Sequence, residues 1–216
     1  VPVCYFVVDG LSGKERANLV KVCIKKLYDV GVEVISLICD GPSCHFAMLR
    51  ELGASMPPPD LKPYFIHPLD KNKRVYVLLD ICHMLKLIRN TLGNSGTLVD
   101  GDDQEICWEY VTALHNLQQD EGLRLGNKLK QAHVKGWQQK MKVNLAAQTL
   151  SSSVADAIDY CRDKLNLPQF KGSEATVKFI RIFDQLFDIL NSHNPCAKGF
   201  KAALRKSNKE TWDPFF

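Results

Sequence analysis

The sequence predicts an α/β sheet region followed by an all-helical region. Three observations point to this. Apolar β-branched runs alternate with amphipathic helical runs as far as Gly93; five prolines interrupt residues 54–74; and from Trp108 to about Lys206 nearly every segment has helical periodicity. The expected limits are 1–93 for the α/β region and 94–216 for the helical one.

The first expected strand is "VCYFVVDG" (Val3 to Gly10), rich in β-branched and aromatic residues and closing on an Asp-Gly turn. Ser12 and Glu15 have capping-box spacing, and the helix they open carries Val20, Cys23, Ile24 and Leu27 on one face before Gly31 stops it. "VEVISLI" is a second strand ending at Asp40. The helix "PSCHFAMLREL" follows, with Pro42 suited to its first position and Gly53 just past its end. The proline-rich stretch reads as a surface excursion. "VYVLL" (Val75 to Leu79) is a third strand, ending at Asp80 before a helix closed by Gly93. Strands this apolar are expected to be buried with both sheet faces covered. Ligands and chemistry collect at the carboxyl ends of strands in such sheets, and Asp9, Asp40 and Asp80 all stand there.

"NSGTLVDGDDQEICW" reads as a loop, and three helices follow: Trp108 to Gln118, a long one from about Gln138 to Leu165, and Glu174 to Leu190. In the long helix Val143, Ala146, Ala147, Leu150, Val154, Ala157 and Ile158 form an apolar stripe, and Leu145, Gln148, Thr149, Ser152, Ala155 and Asp156 a mixed one. On the last helix Phe179, Ile182, Phe183, Leu186 and Phe187 read as core.

Composition narrows the class. With 216 residues, 45% hydrophobic and 24% charged, the chain can bury one or two cores. No apolar run approaches the ~20 residues that cross a bilayer, so no membrane role is expected and a soluble, intracellular protein is. The eight cysteines are scattered through apolar segments, which suits a reducing compartment. The chain opens without Met, inside an expected strand, and reads as a piece of a longer protein. A net charge of +4 permits nucleic acid or nucleotide binding without demanding it. The acid-free run Lys198 to Lys209 is either a solvated face or a phosphate-contacting one.

No G-x-x-x-x-G-K-[ST] loop and no G-x-G-x-x-G after a strand is present. Cys39, Cys44, Cys82 and His83 stand near strand ends, but their spacing is not that of a zinc ribbon or finger, and structural cysteines are the expectation. His83 either orients a neighbour of Asp80 or is a structural histidine. Asp40 either caps the following helix or does chemistry. Residue patterns leave both questions open.

Longer blocks add to this reading. "GLSGKERANLVKVCIKKLYDVGVEVISLICDGPSCHFAMLRELGA" and "VYVLLDICHMLKLIRNTLG" resemble the RNase H-like region of P-element-type transposases, including THAP-domain transposases and their domesticated relatives. "EYVTALHNLQQDEGLRLGNKLKQAH", "QKMKVNLAAQTLSSSVADAI" and "FDQLFDILNSHNPCAKGFK" are similar to the GTP-binding insertion domain of the same family. The resemblance implies a partial RNase H-like sheet with helices, followed by an all-α insertion domain. It implies a nuclear DNA transposase that cleaves and joins DNA with two Mg²⁺ ions on two Asp and one Glu, uses GTP as a positioning cofactor, and acts on transposon-end and target DNA as a homo-oligomer.

On this resemblance Asp40 is the second Asp of the triad and a metal ligand, with Asp80 and His83 as active-site neighbours. The other two carboxylates are expected outside residues 1–216, so the fragment alone is not expected to act on DNA. Lys128 matches a phosphate-contacting Lys, and Val143, Asn144 and Ser151 fall in the block lining the nucleotide. Phe187 and Asp188 match a base-stacking aromatic and a guanine-reading carboxylate, with Asn191 nearby. Two departures stand out: Ile81 replaces a common Pro, and Gly126 replaces a usual Ala, which lowers helix propensity. The alternative is a domesticated, catalytically inactive module that binds nucleotide or DNA. An upstream Asp and a downstream Glu in the full-length sequence would favour the enzyme.

Overall fold

The computed structural model describes residues 10–56, 58–122, 124–134, 139–192, 194 and 196–213. The expected strand from Val3, with Cys4 and Asp9, lies outside them. The chain divides into two compact units, Val1–Asp80 and Ile81–Phe216.

The first unit runs α1 (Gly13–Asp29), β1 (Ser36–Cys39), α2 (Ser43–Leu52), β2 (Tyr64–His67) and β3 (Asp70–Leu79). The capping box forms as expected: the Ser12 side chain accepts from the Glu15 amide, and Glu15 accepts from the Ser12 amide at 2.8 Å. Gly31 (φ 80°) follows the end of α1, and Gly53 (φ 91°) ends α2 in the left-handed region where glycine carries no steric penalty. Strand order is β1-β3-β2, with β1 parallel and β2 antiparallel to β3. The β2–β3 hairpin replaces much of the expected surface excursion. Its prolines, Pro63 and Pro68, flank the strand, so they do not interrupt the ladder.

Ala17 and Ile24 of α1 and Met48, Leu49 and Leu52 of α2 pack on Cys39, Phe65, Val75 and Val77 of the sheet. The expectation of a sheet covered on both faces is not met among the described residues. Val75 and Val77 are buried, but Ile38, Ile66, Tyr76 and Leu78, on the opposite face, are 63%, 45%, 50% and 50% exposed. Strand period explains the difference: a run apolar at every position does not say which of its two faces is covered. On the exposed face the Arg74 guanidinium sits 4.4 Å from the centre of the Tyr64 ring.

Helices α1 and α2 approach closely at Gly13. A Cβ there would lie 2.7 Å from the Ala47 Cβ and 2.8 Å from its carbonyl carbon. Gly13→Ala is therefore expected to destabilise the chain by about 1–3 kcal/mol through overpacking, outweighing the gain of roughly 1 kcal/mol in helix propensity. The midpoint of urea unfolding measures it; an increase would show that the helices separate at little cost.

The second unit contains α3 (Ile81–Ser95), β4 (Thr97–Val99), β5 (Glu105–Cys107), α4 (Glu109–Asp120), α5 (Gln131–Val134), α6 (Val143–Thr149), α7 (Ser152–Asp163), α8 (Glu174–Leu190) and α9 (Lys209–Trp212). Gly93 lies inside α3, which runs two residues further, rather than closing it. The stretch read as a loop contains the antiparallel β4–β5 hairpin. Asp100 shapes its turn by accepting from the amides of Asp102 and Gln104, both at 2.9 Å.

The expected long helix is broken into α6 and α7. Ser151 is extended (φ −112°, ψ 150°) and its hydroxyl donates to the Gln148 carbonyl at 3.0 Å, a local bond that competes with the helix ladder. The break resets the helical phase, so Leu145, Thr149 and Ala155 of the mixed stripe are buried together with Ala146, Leu150, Val154 and Ile158. Helix α8 has the expected limits but not the expected buried face. Thr176, Val177, Ile180 and Ile189 are buried, whereas Phe179, Phe183 and Phe187 only pack against the margin of the core and Ile182 is exposed. The helix is apolar around more than half its circumference, so periodicity alone does not choose the face. No helix among the described residues is long and apolar enough to cross a membrane.

Candidate functional site

Asp40 directly follows β1 and Asp80 directly follows β3. The parallel register pairs Cys39 with Leu79, so the two aspartates leave neighbouring strands at the same end of the sheet. The Asp80 amide donates to the Cys39 carbonyl at 3.0 Å. Asp40 is exposed and does not cap α2. The N-cap is Pro42, one position earlier than expected for it, with no side-chain cap bond; its carbonyl accepts from the His45 amide at 2.8 Å. Gly41, at φ 81°, makes the turn that separates Asp40 from the helix.

His45 is a neighbour that sequence reasoning passed over. Burial, with Arg16 adding to it, holds its imidazole below the ordinary pKa, and the Asp40 charge opposes both. Its Nδ1 is buried without a hydrogen-bond partner among the described residues. The only available signal was its place in the first turn after Asp40. Carboxylates suit Mg²⁺ as ligands, but no group of three His, Cys, Asp or Glu among the described residues is close enough to hold an ion. The described residues therefore do not make up a two-metal site. Cys39 is buried in the sheet core, and burial raises its thiol pKa.

In the second unit, the carboxyl end of α8 gathers several of the expected nucleotide residues. Phe187 packs against the core margin, Asp188 follows it, and Asn191 is the C-cap, its amide donating to the Phe187 carbonyl at 2.9 Å. The Asn191 side chain accepts from the Cys82 thiol at 4.0 Å, which brings the first turn of α3, where half-buried His83 also stands, to this end of α8. A cavity of about 230 Å³ is lined by Asp188, Asn191, Ser192, Asn194, Ala197 and Lys201. Burial pushes the Asp188 carboxyl above its ordinary pKa; Lys201, with its ammonium 3.8 Å away, opposes this, and Asp184 adds to it.

Ser151 is the N-cap of α7. The next residue, Ser152, donates to Asp184 Oδ2 through its amide at 3.0 Å and its hydroxyl at 2.5 Å, which ties the start of α7 to α8 one turn before Asp188. Val143 is half-buried and Asn144 exposed at the start of α6. Lys128 is exposed in the segment before α5. The α5 helix that follows is joined to α6 by the His133–Gln148 hydrogen bond of 2.9 Å. Of the expected nucleotide residues, Asp188 and Asn191 line one cavity; Phe187 precedes Asp188 and packs on the core, Ser151 stands at the start of α7, Val143 and Asn144 at the start of α6, and Lys128 before α5.

Lys201 and Asp184 were missed as members of this neighbourhood. The basic run hinted at the first, and the i, i+4 spacing with Asp188 at the second. Gly126 is outside any helix at φ 68°, so the propensity cost inferred from sequence does not apply: glycine suits that turn. Ile81 is the first residue of α3, where a helix tolerates proline, so that departure is local.

Residues 82–203 match the TNP-like, GTP-binding insertion domain, and residues 1–53 match the TNP-like, RNase H N-terminal domain. The chain belongs to the TNP-like family. The TNP-like chain is 33% identical to DNA transposase THAP9 of Homo sapiens over 205 residues, 94% of its own length and 22% of the relative's. It is 27% identical to the Transposable element P transposase of Drosophila melanogaster over 170 residues, 78% of this chain and 22% of that protein. The TNP-like chain therefore spans about 22% of the length of these relatives. Its fold is that of a chain in the Drosophila P element transposase strand transfer complex, with a TM-score of 0.71 and 24% identity over 84% of this chain and 39% of the other. The resemblance expected from the sequence blocks, and the mixed α/β and helical fold, are borne out.

Proposed function

We propose that this chain is the part of a DNA transposase that supplies one carboxylate, Asp40, to a Mg²⁺ site and holds GTP in its helical unit. The observation that carries the nucleotide reading is the half-buried carboxylate of Asp188, its pKa raised by burial, lining a cavity with Asn191 and Lys201. A carboxylate can accept from both N1–H and the 2-amino group of guanine, and adenine offers no such pair. Phe187 would stack on the base, Asn191 and Ser151 would border it, and Lys128, Val143 and Asn144 would lie toward the phosphates.

Asp40 is supported by its position: an exposed hard oxygen donor at a strand end, not consumed as a helix cap, beside Asp80. The complete protein would act in the nucleus on transposon-end and target DNA as a homo-oligomer, with His83 and Asp80 as neighbours of the catalytic centre. Calorimetric titration of the 216-residue chain, after circular dichroism has verified its helices, is expected to give GTP binding at least about tenfold tighter than ATP. Equal, negligible heats for both nucleotides on a folded chain would sink the nucleotide reading.

A further inference from the structure

Arg89 of α3 is 3% exposed, and it is the buried cation that the reading above leaves unused. A guanidinium has five N–H donors, no acceptor, and keeps its charge in proteins. Here one Nη donates to the Gln139 carbonyl at a long 3.4 Å, and Nε is buried with no hydrogen-bond partner among the described residues. Among the described residues Arg89 forms no ion pair. Arg162 and Arg181, both more exposed, contrast with it: the first faces Asp159, Asp163 and Glu174, and the second Asp156 and Asp159. Residues 135–138 read Lys-Gly-Trp-Gln and contain no acid.

Arg89 borders a cavity of about 40 Å³ together with Asn90, Asn94, Trp108, His133 and Lys140, and among the described residues no Asp or Glu lines it. His133 is already engaged. Its Nδ1 accepts from the Lys130 amide at 2.9 Å, which puts the proton on Nε2 and directs it to Gln148 Oε1. Asn90 is also committed, its Nδ2 donating to the Lys140 carbonyl at 3.3 Å. The unmet hydrogen-bonding capacity is thus that of a buried, planar cation. The space suits one small tetrahedral group or several waters, not a base or a sugar. Oxyanions of the phosphate class match a guanidinium fork bidentately, with lysine as an additional point charge.

We propose that this cavity binds a phosphate-class oxyanion, with Arg89 as its principal ligand and Lys140 and Asn94 at its rim. The site stands whether or not the α8 cavity prefers guanine. The oxyanion is either inorganic phosphate or a phosphate of a bound nucleotide. The test uses the ¹⁵N-labelled 216-residue chain, following the Arg89 Nε–H resonance and the melting temperature as inorganic phosphate is added, against chloride at equal ionic strength. A saturable shift and a phosphate-specific rise in melting temperature are expected, with affinity about tenfold weaker in Arg89→Lys. Asn94 is exposed, so Asn94→Asp is the variant that keeps the test open if Arg89→Lys fails to fold. It brings a carboxylate to the rim, and is expected to raise the melting temperature without phosphate and to abolish the phosphate response. Repeating the titration with saturating GTP separates the sources: displacement of phosphate assigns the site to the nucleotide, and simultaneous binding to free phosphate. A folded wild-type chain whose Arg89 Nε–H resonance moves with neither phosphate nor GTP would overturn the proposal.

Discussion

Asp188→Asn is expected to turn the nucleotide preference of the chain from guanine to xanthine. The carboxylate accepts from two donors on guanine, N1–H and the 2-amino group. Asparagine presents one acceptor and one donor, so it loses one of those bonds and sets its own N–H₂ against the other. In xanthine the 2-amino group is replaced by a carbonyl, and the match is restored. Loss of a charge-assisted hydrogen bond with an unpaired donor left behind sets the scale: GTP affinity should fall roughly 100-fold and xanthosine triphosphate affinity should overtake it.

The same residue makes a pH signature. Its raised pKa, caused first by burial, means that it takes up a proton at a higher pH than an ordinary aspartate does. GTP affinity of the wild type should therefore decline on acidification from neutral pH sooner than an ordinary Asp would allow, and affinity of Asp188→Asn for xanthosine triphosphate should not follow that decline. The stability sign runs the other way. A carboxyl whose folded pKa exceeds its unfolded one favours the folded state in acid, and that contribution is lost as pH rises through the folded value. Asp188→Asn should thus melt higher than wild type at neutral pH without ligand, and the difference should shrink in acid. If xanthosine triphosphate gains nothing and GTP is unaffected, Asp188 does not read the base.

The second large effect concerns Asp40. In the full-length protein Asp40→Ala should reduce strand transfer by about 1000-fold or more, the scale of several kcal/mol that metal-assisted chemistry supplies to a phosphoryl-transfer barrier. In the 216-residue chain the same change should leave the melting temperature alone, because the side chain is exposed and makes no cap bond to α2. These two measurements separate the roles left open by the sequence. A drop in melting temperature with joining activity retained would make Asp40 a structural residue. Unchanged joining with unchanged stability would remove it from the site altogether.

Legibility in the sequence followed the range of the interactions. The Ser12–Glu15 box, the glycine after α2 and the limits of α8 were readable because each is decided within a few residues. The β2–β3 and β4–β5 hairpins were not, since β2, β4 and β5 span four, three and three residues and show no periodicity to detect. The α6–α7 break turned on serine hydroxyls competing with a helix whose apolar stripe ran straight through it. The site divides the same way. Asp40 and Asp80 were visible as strand ends. The attachment of Ser152 to Asp184, 32 residues away, is a tertiary bond that no local pattern announces, and so is the approach of Lys201 to Asp188. Arg89 was invisible for a related reason: a lone arginine on an amphipathic helix is usually a solvated one, and its burial comes from elements far along the chain.

The half-exposed face of the three-stranded sheet also bears on how the first unit responds to temperature. Heat capacity of unfolding is set by the apolar surface newly exposed to water, about 12–15 cal/mol/K per residue for an ordinary domain. Ile38, Ile66, Tyr76 and Leu78 already show much of their surface in the folded state. The first unit should therefore fall below that range, and its free energy of unfolding should vary along a shallower arc between cold and heat than that of the helical unit, where Leu114, Leu150, Ile158, Phe170 and Ile180 are fully enclosed.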